Sequence, residues 1–149
     1  MNHGAFMPTI FLVEDNATDV ELFRLALCEA SVGCDLIVFE DGGEIIDHIS
    51  KPDSAVSGQL PDLIMLDLNL PKSGGLEVLQ VIRESPFFAK VPVAVLSSSS
   101  SPREREKLSA FNIREFIVKS PDLEEYLKVG SIVGTLLTKA RPVVARVEG

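Results

Sequence analysis

Five short apolar runs, each followed by a stretch with helical spacing, limit what this chain can become. Thr9–Val13 is a continuous apolar run that stops at Glu14-Asp15-Asn16. After it, Val20, Phe23, Leu27 and Ala30 recur at helical spacing, with Leu22 and Leu25 widening the stripe. Asn16 suits the N-cap of that helix, and Asp19 lies in its first turn, facing the positive end of the dipole. Leu36–Phe39 reads as a second strand, ended by Asp41-Gly42-Gly43, and Ile45, Ile46 and Ile49 mark a short helix. Beyond a loop at Lys51–Pro61 rich in Pro, Ser and Gly, Asp62–Asp67 reads as a third strand. A turn through Pro71 and Gly74-Gly75 leads to a helix with Leu76, Leu79 and Ile82 inward. Val93–Leu96 is a fourth strand, and Pro102 opens a helix that runs to about Phe111. Glu115–Val118 is the fifth strand. Pro121 then opens a last helix along Leu123, Tyr126, Leu127, Gly130, Val133 and Leu137.

Strands this apolar need cover on both faces, which is the pattern of a parallel sheet with helices on either side. No repeat or internal boundary interrupts the alternation. Residues 1–149 are expected to form one domain, with a core at about 8–138 and a C-terminal tail at 139–149. In such sheets ligands bind at the carboxyl ends of the strands, near the switch point in strand order. Function is therefore to be read from the residues that end each strand.

Charge narrows the partners. The 149 residues carry 14 Lys and Arg against 22 Asp and Glu, a net charge of −8 that disfavours nucleic acid and anionic membrane surfaces. No apolar run approaches the roughly 18 residues of a membrane span, and Met1–Met7 has no secretory character. Cys28 and Cys34 are expected as two buried thiols rather than a disulfide, and a cytoplasmic location follows. His3 and His48 offer no metal-type spacing, and His48 reads as a solvated or half-buried side chain.

The strand ends are Glu14-Asp15, Asp67, Ser97 and Lys119. Singly, each is commonplace. Together they would bring three carboxylates, a hydroxyl and a lysine to one rim. Close carboxylates repel, so they raise a pKa or bind a cation. Oxygen donors that leave room for water suit Mg²⁺, which typically takes one or two carboxylates plus a phosphate. A lysine on the same rim suits a phosphoryl oxygen as a point charge.

These residues resemble the receiver domain of response regulators across about residues 8–138. An acidic pair follows the first strand, and Asp67 with Pro71 and Gly75 reproduces the family's Asp-x-x-x-Pro-x-x-x-Gly pattern. Ser97 holds the Ser/Thr position, Lys119 ends the fifth strand, and Phe116 holds the aromatic switch position. Val13–Asn16, Leu68–Pro71 and Leu96–Ser99 are similar to stand-alone receivers partnered with bacterial phytochromes.

The resemblance implies a flavodoxin-like (βα)5 fold, doubly wound, with a five-stranded parallel sheet and helices on both faces. It implies that Asp67 takes a phosphoryl group from the histidine of a sensor kinase, with a phytochrome as the narrower expectation. Such a protein is not a turnover enzyme; it assists its own phosphotransfer and dephosphorylation. Mg²⁺, or alternatively Mn²⁺, would be held by Asp15, Asp67 and the Asn69 main-chain carbonyl, with Glu14 acting through water. Ser97 would move to a phosphoryl oxygen, and Phe116 would rotate behind it by packing alone, since it has no hydroxyl. Asn69, Ser98 and Ser99 would tune the phosphoryl lifetime. Output would pass through a separate downstream partner, and a homodimer through the fourth helix, fifth strand and fifth helix, or through the tail, is a further expectation.

One departure is local: Ser120, not Pro, follows Lys119, and a cis bond there would cost about 2.5–4 kcal/mol. Arg103–Lys107 reads as a charge run with Arg103–Glu106 and Glu104–Lys107 pairs on a helix that belongs to the presumed output face. Three rival readings fit less well. An Asp-nucleophile phosphatase needs a second Asp where Asn69 stands, and a flavin or nucleotide carrier needs a Gly-, Ser- or Thr-rich loop where Glu14-Asp15-Asn16 would repel phosphate. A degenerate receiver that acts only as an unphosphorylated interaction module would not need the full set of site residues.

Overall fold

The apolar run Thr9–Val13 forms an interior strand of the sheet, where every residue from Ile10 to Val13 is buried between two helical layers. The computed structural model describes residues 7–51, 60–70, 74–98 and 101–140. Most of the loop expected at 51–61, together with Pro71, Ser99 and the tail beyond 140, lies outside the described residues.

Five strands alternate with helices: β1 (Thr9–Val13), α1 (Ala17–Glu29), β2 (Asp35–Phe39), α2 (Gly42–Ser50), β3 (Leu63–Asp67), α3 (Gly75–Glu84), β4 (Val93–Ser97), α4 (Pro102–Leu108) and β5 (Glu115–Val118). A 3₁₀ turn, Ser109–Phe111, extends α4, and α5 (Leu123–Leu127) and α6 (Val129–Ala140) close the described chain. All strand pairs are parallel, in the order β2-β1-β3-β4-β5. The order reverses at β1, which places the switch point between β1 and β3.

Alternation along each strand sorts the core into two layers. Ile10, Leu12, Leu63 and Met65 face Phe23, Ala26 and Leu27 of α1 and Val129 and Val133 of α6. Phe11, Val13, Ile64 and Leu66 face Ile45 of α2, Val78, Leu79 and Ile82 of α3, and Leu108 of α4. The doubly wound parallel architecture is as the sequence implies.

Several local expectations are corrected. The last helix starts at Leu123 rather than Pro121, because the Asp122 carboxylate caps it by accepting from the Glu125 amide at 3.0 Å. It is also two helices, separated at Lys128. Leu76 and Leu25 point outward, since Val78 and Ala26 complete the buried stripes of α3 and α1 in their place. Cys28 is exposed and Cys34 half-buried; both thiols are free, and burial pushes the Cys34 thiol up. His48 is half-buried as expected, with its ring against Phe11 and Phe39 at 5.5 and 5.4 Å between centroids.

Candidate functional site

Each strand stops where its polar terminal residue reaches the carboxyl rim, and the parallel register brings those residues level. Val13 pairs with Leu66, Asp67 with Leu96, and Ser97 with Val118, so Glu14, Asp67, Ser97 and Lys119 arrive together. The Lys119 amide donates to the Ser97 carbonyl at 2.7 Å, extending the ladder by one rung and tying the lysine to the hydroxyl-bearing residue. Among the described residues every peptide bond is trans, Lys119–Ser120 included. The absence of Pro after the lysine does not keep it from the site.

Lys119 is the hub. Its Nζ donates to Glu14 Oε1 and Asp19 Oδ2 at 3.0 Å each, and to Asp67 Oδ2 at 3.1 Å. Three donors meet three carboxylates, which is the full capacity of an ammonium group. Asp67 and Glu14 are buried, while Asp15 is exposed. Asp67 Oδ1 accepts from the Asn69 amide at 2.9 Å, so both of its oxygens are held and the carboxylate is fixed in orientation. The Asn69 side-chain oxygen accepts from the Ser98 amide and hydroxyl at 3.2 and 3.1 Å, linking the loops after β3 and β4.

The electrostatics follow from burial and crowding. Burial and the neighbouring Asp67 push the Glu14 carboxyl up to about 7, against the pull of Lys119. Burial pulls Lys119 down, but the Glu14 and Asp67 carboxylates outweigh it and hold the ammonium well above its ordinary range. Ligand oxygens of Glu14, Asp15 and Asp67 all lie within 4.8 Å of one another. A partly exposed, all-oxygen carboxylate set of this kind fits a hard divalent cation that keeps some of its water.

The chain matches the response regulator receiver domain family over residues 10–129. It belongs to that family. Response regulator Rcp1 of Synechocystis sp. is 31% identical over 120 residues, covering 80% of this chain and 82% of that protein. The crystal structure of a phosphorylated cyanobacterial phytochrome response regulator, RcpA, superposes with a TM-score of 0.80 at 31% identity, over 92% of this chain and 98% of that one. The Mn²⁺-bound form of Rcp1 superposes with a TM-score of 0.75 at 29% identity, over 86% and 92%. This receiver is a module of two-component signalling, in which phosphorylation and Mg²⁺ binding are typical and a sensor kinase is the upstream partner. Its Glu14, Asp15 and Asp67 cluster matches the divalent metal site of the family. Among the described residues no helix is long and apolar enough to cross a membrane.

Two residues at this site carry roles that the sequence alone does not suggest. Asp19 reads as a helix-dipole residue, and its amide does donate to the capping Asn16 side chain at 3.1 Å, yet its carboxylate also binds Lys119. Glu104 reads as half of a solvated pair with Lys107. Instead it accepts from the Ser97 hydroxyl at 3.0 Å. Ser97 is thus brought to the rim, but its hydroxyl is engaged by α4. Phe116 is half-buried on β5, with the Arg105 guanidinium 4.5 Å above its ring.

Proposed function

We propose that Asp67 is the phosphoacceptor of this receiver, taking the group from the phosphohistidine of a sensor kinase of the phytochrome class. The observation that carries the reading is the buried Asp67 carboxylate, held between the Lys119 ammonium and the Asn69 amide beside the acidic cluster. A carboxylate oxygen of Asp67 forms the new P–O bond as the P–N bond of the kinase imidazole breaks, and the imidazole leaves with the electron pair. Phosphoryl transfer asks mainly for positioning and charge stabilisation, and both are supplied at this rim.

Asp15, Asp67 and the Asn69 main-chain carbonyl would hold Mg²⁺, with Glu14 acting through water. The bound cation supplies positive charge against a group carrying about −1.5 to −2 charges. Lys119 adds a second positive charge from the β5 side and restrains Asp67 before transfer. Ser97 then donates to a phosphoryl oxygen, and Phe116 follows into the vacated space, which changes the surface built from α4, β5 and α5. Asn69, Ser98 and Ser99 set how readily water reaches the acyl phosphate, so the receiver assists its own dephosphorylation. The phytochrome link is supported by the likeness to Rcp1 and RcpA.

Intact mass after incubation with Mg²⁺ and a small acyl phosphate tests the assignment. A labile gain of one phosphoryl group is expected for the wild type and none for Asp67→Asn. No gain in the wild type, even with a phytochrome-class kinase, would leave only an interaction module; a gain retained by Asp67→Asn would place the acceptor elsewhere.

A further inference from the structure

Two neighbouring residues of α4 each hold one residue of the switch. Glu104 accepts the hydroxyl of Ser97, whose side chain is fully buried, and Arg105 covers the ring of Phe116. We infer that Glu104 and Arg105 form a two-point latch through which α4 competes with the phosphoryl group for Ser97 and restrains Phe116 in the resting receiver. The inference rests on the reading of Asp67, Ser97 and Phe116 given above and adds a positioning role for Glu104.

Hydroxyl stoichiometry makes the competition unavoidable. Ser97 Oγ carries one proton and donates it to one acceptor at a time. Donation to a phosphoryl oxygen on Asp67 therefore requires release of Glu104 Oε1. The two acceptors also exclude each other by charge, because a carboxylate and a phosphoryl group each offer only negative oxygens and repel at close range. Once Ser97 turns toward Asp67, nothing in this pair holds the Glu104 carboxylate where it was.

The rest of α4 offers little resistance to such a change. It has seven residues, and among them only Leu108 is buried. A short element with one buried anchor belongs to the low-stability end of a fold. The Phe116 contact shares this fate, since Arg105 is adjacent to Glu104 in the same short helix. Displacing α4 through Glu104 carries the guanidinium away from the ring and frees Phe116 to rotate. Phe116 has no hydroxyl to be pulled by a new hydrogen bond, so removal of its cationic cover is a physical route by which phosphorylation reaches it. The latch thus ties two side chains on different strands to one helix, and an equilibrium between two arrangements is biased by which acceptor Ser97 serves.

The test compares wild type, Glu104→Ala and Glu104→Gln with Mg²⁺ and a small acyl phosphate, following phosphoryl uptake by intact mass. Backbone amide resonances of Ser97 and α4 are followed in parallel in the absence of the donor. Glu104→Ala is expected to take up phosphoryl about five- to tenfold faster, with α4 amides shifted toward their phosphorylated wild-type positions before any donor is added. Glu104→Gln keeps an acceptor oxygen without the charge and should fall between the two; a purely structural defect would not show this graded rescue. Wild-type uptake with both variants matching it in rate and α4 resonances would overturn the latch while leaving Asp67 as acceptor. Absence of any uptake in the wild type would overturn the Asp67 reading and the latch with it. A Glu104→Ala protein whose amide spectrum has collapsed is replaced by Glu104→Gln, whose rate alone then decides: wild-type uptake sinks the latch, faster uptake supports it.

Discussion

Tyr126 stands out at the scale of single residues. It is 4% exposed on α5, and its hydroxyl is buried with no hydrogen-bond partner among the described residues. A buried, unpaired hydroxyl costs about 1–3 kcal/mol. Tyr126→Phe removes that cost while keeping the ring, so urea unfolding at neutral pH should find the variant more stable by about 1 kcal/mol. Burial also pushes the phenol up to about 12, with Asp19, Glu14 and Asp67 reinforcing the shift against Lys119. An acid raised in the folded state binds more protons there than in the unfolded chain between about pH 10 and pH 12. Its contribution to stability is therefore constant below pH 10 and lost as pH rises through the folded value. The stability gap between Tyr126→Phe and wild type should be flat up to pH 10 and widen by about 2–3 kcal/mol toward pH 12. A gap that stays constant over that range would show that the phenol titrates as in water.

Among the structural elements, α6 depends on one residue for its fit. A Cβ on Gly130 would run into the Ala26 carbonyl, so the backbones of α6 and α1 approach each other only because Gly130 has none. Two effects oppose one another in Gly130→Ala. Helix propensity favours Ala by about 0.8–1 kcal/mol, whereas overpacking costs typically about 1–3 kcal/mol and more when the obstacle is backbone. The clash should win, giving a net loss of about 2 kcal/mol in chemical denaturation; a neutral or stabilised variant would show that the helix pair has room to part. Gly75 differs, because there the Cβ would first meet the flexible end of Leu68.

The five strands were legible in the sequence because each is a run of apolar residues ended by a polar one, whereas their order β2-β1-β3-β4-β5 is set by long-range pairing that leaves no local pattern. The split of the last helix was not legible, since Lys128 is an unremarkable helix former and the break there is a tightened turn in which its amide donates to the Glu125 carbonyl at 3.1 Å. Nor was the Arg83 guanidinium, which leaves the solvated side of α3 to donate to the carbonyls of Phe111, Ala89, Val91 and Asn112. Side chains that satisfy distant backbone carbonyls leave no period or motif behind. The same holds for Asp19 and Glu104 at the site. The sequence assigns Asp19 to the dipole of its own helix and Glu104 to a pair with Lys107, while the contacts they make reach other elements, Lys119 after β5 and Ser97 at the end of β4.

The whole molecule carries a net charge of −8, and part of it is concentrated where it opposes folding. Glu14, Asp15 and Asp67 crowd one rim, and the single ammonium of Lys119 serves Glu14, Asp19 and Asp67 but has no contact with Asp15. Asp15 is thus the member of the cluster that adds repulsion without an ion-pair partner among the described residues while no cation is bound. This leads to a prediction with two opposite signs. Binding at a hundred times the dissociation constant stabilises a folded protein by about 2.7 kcal/mol. For a chain of this size that corresponds to a rise of roughly 5–10 °C in Tm. Saturating Mg²⁺ should produce that rise in the wild type, and it should exceed the rise from Na⁺ at equal ionic strength, which only screens. In Asp15→Asn the Mg²⁺ increment should vanish, yet in the presence of a chelator the variant should melt at or above the wild-type temperature, since a repulsive charge has been removed. A ligand that is destabilising without its metal and stabilising with it is what a built cation site requires. If Asp15→Asn instead melted lower than wild type under chelation, Asp15 would be supporting the fold rather than waiting for a cation, and the assignment of the cluster as a metal site would lose its exposed member.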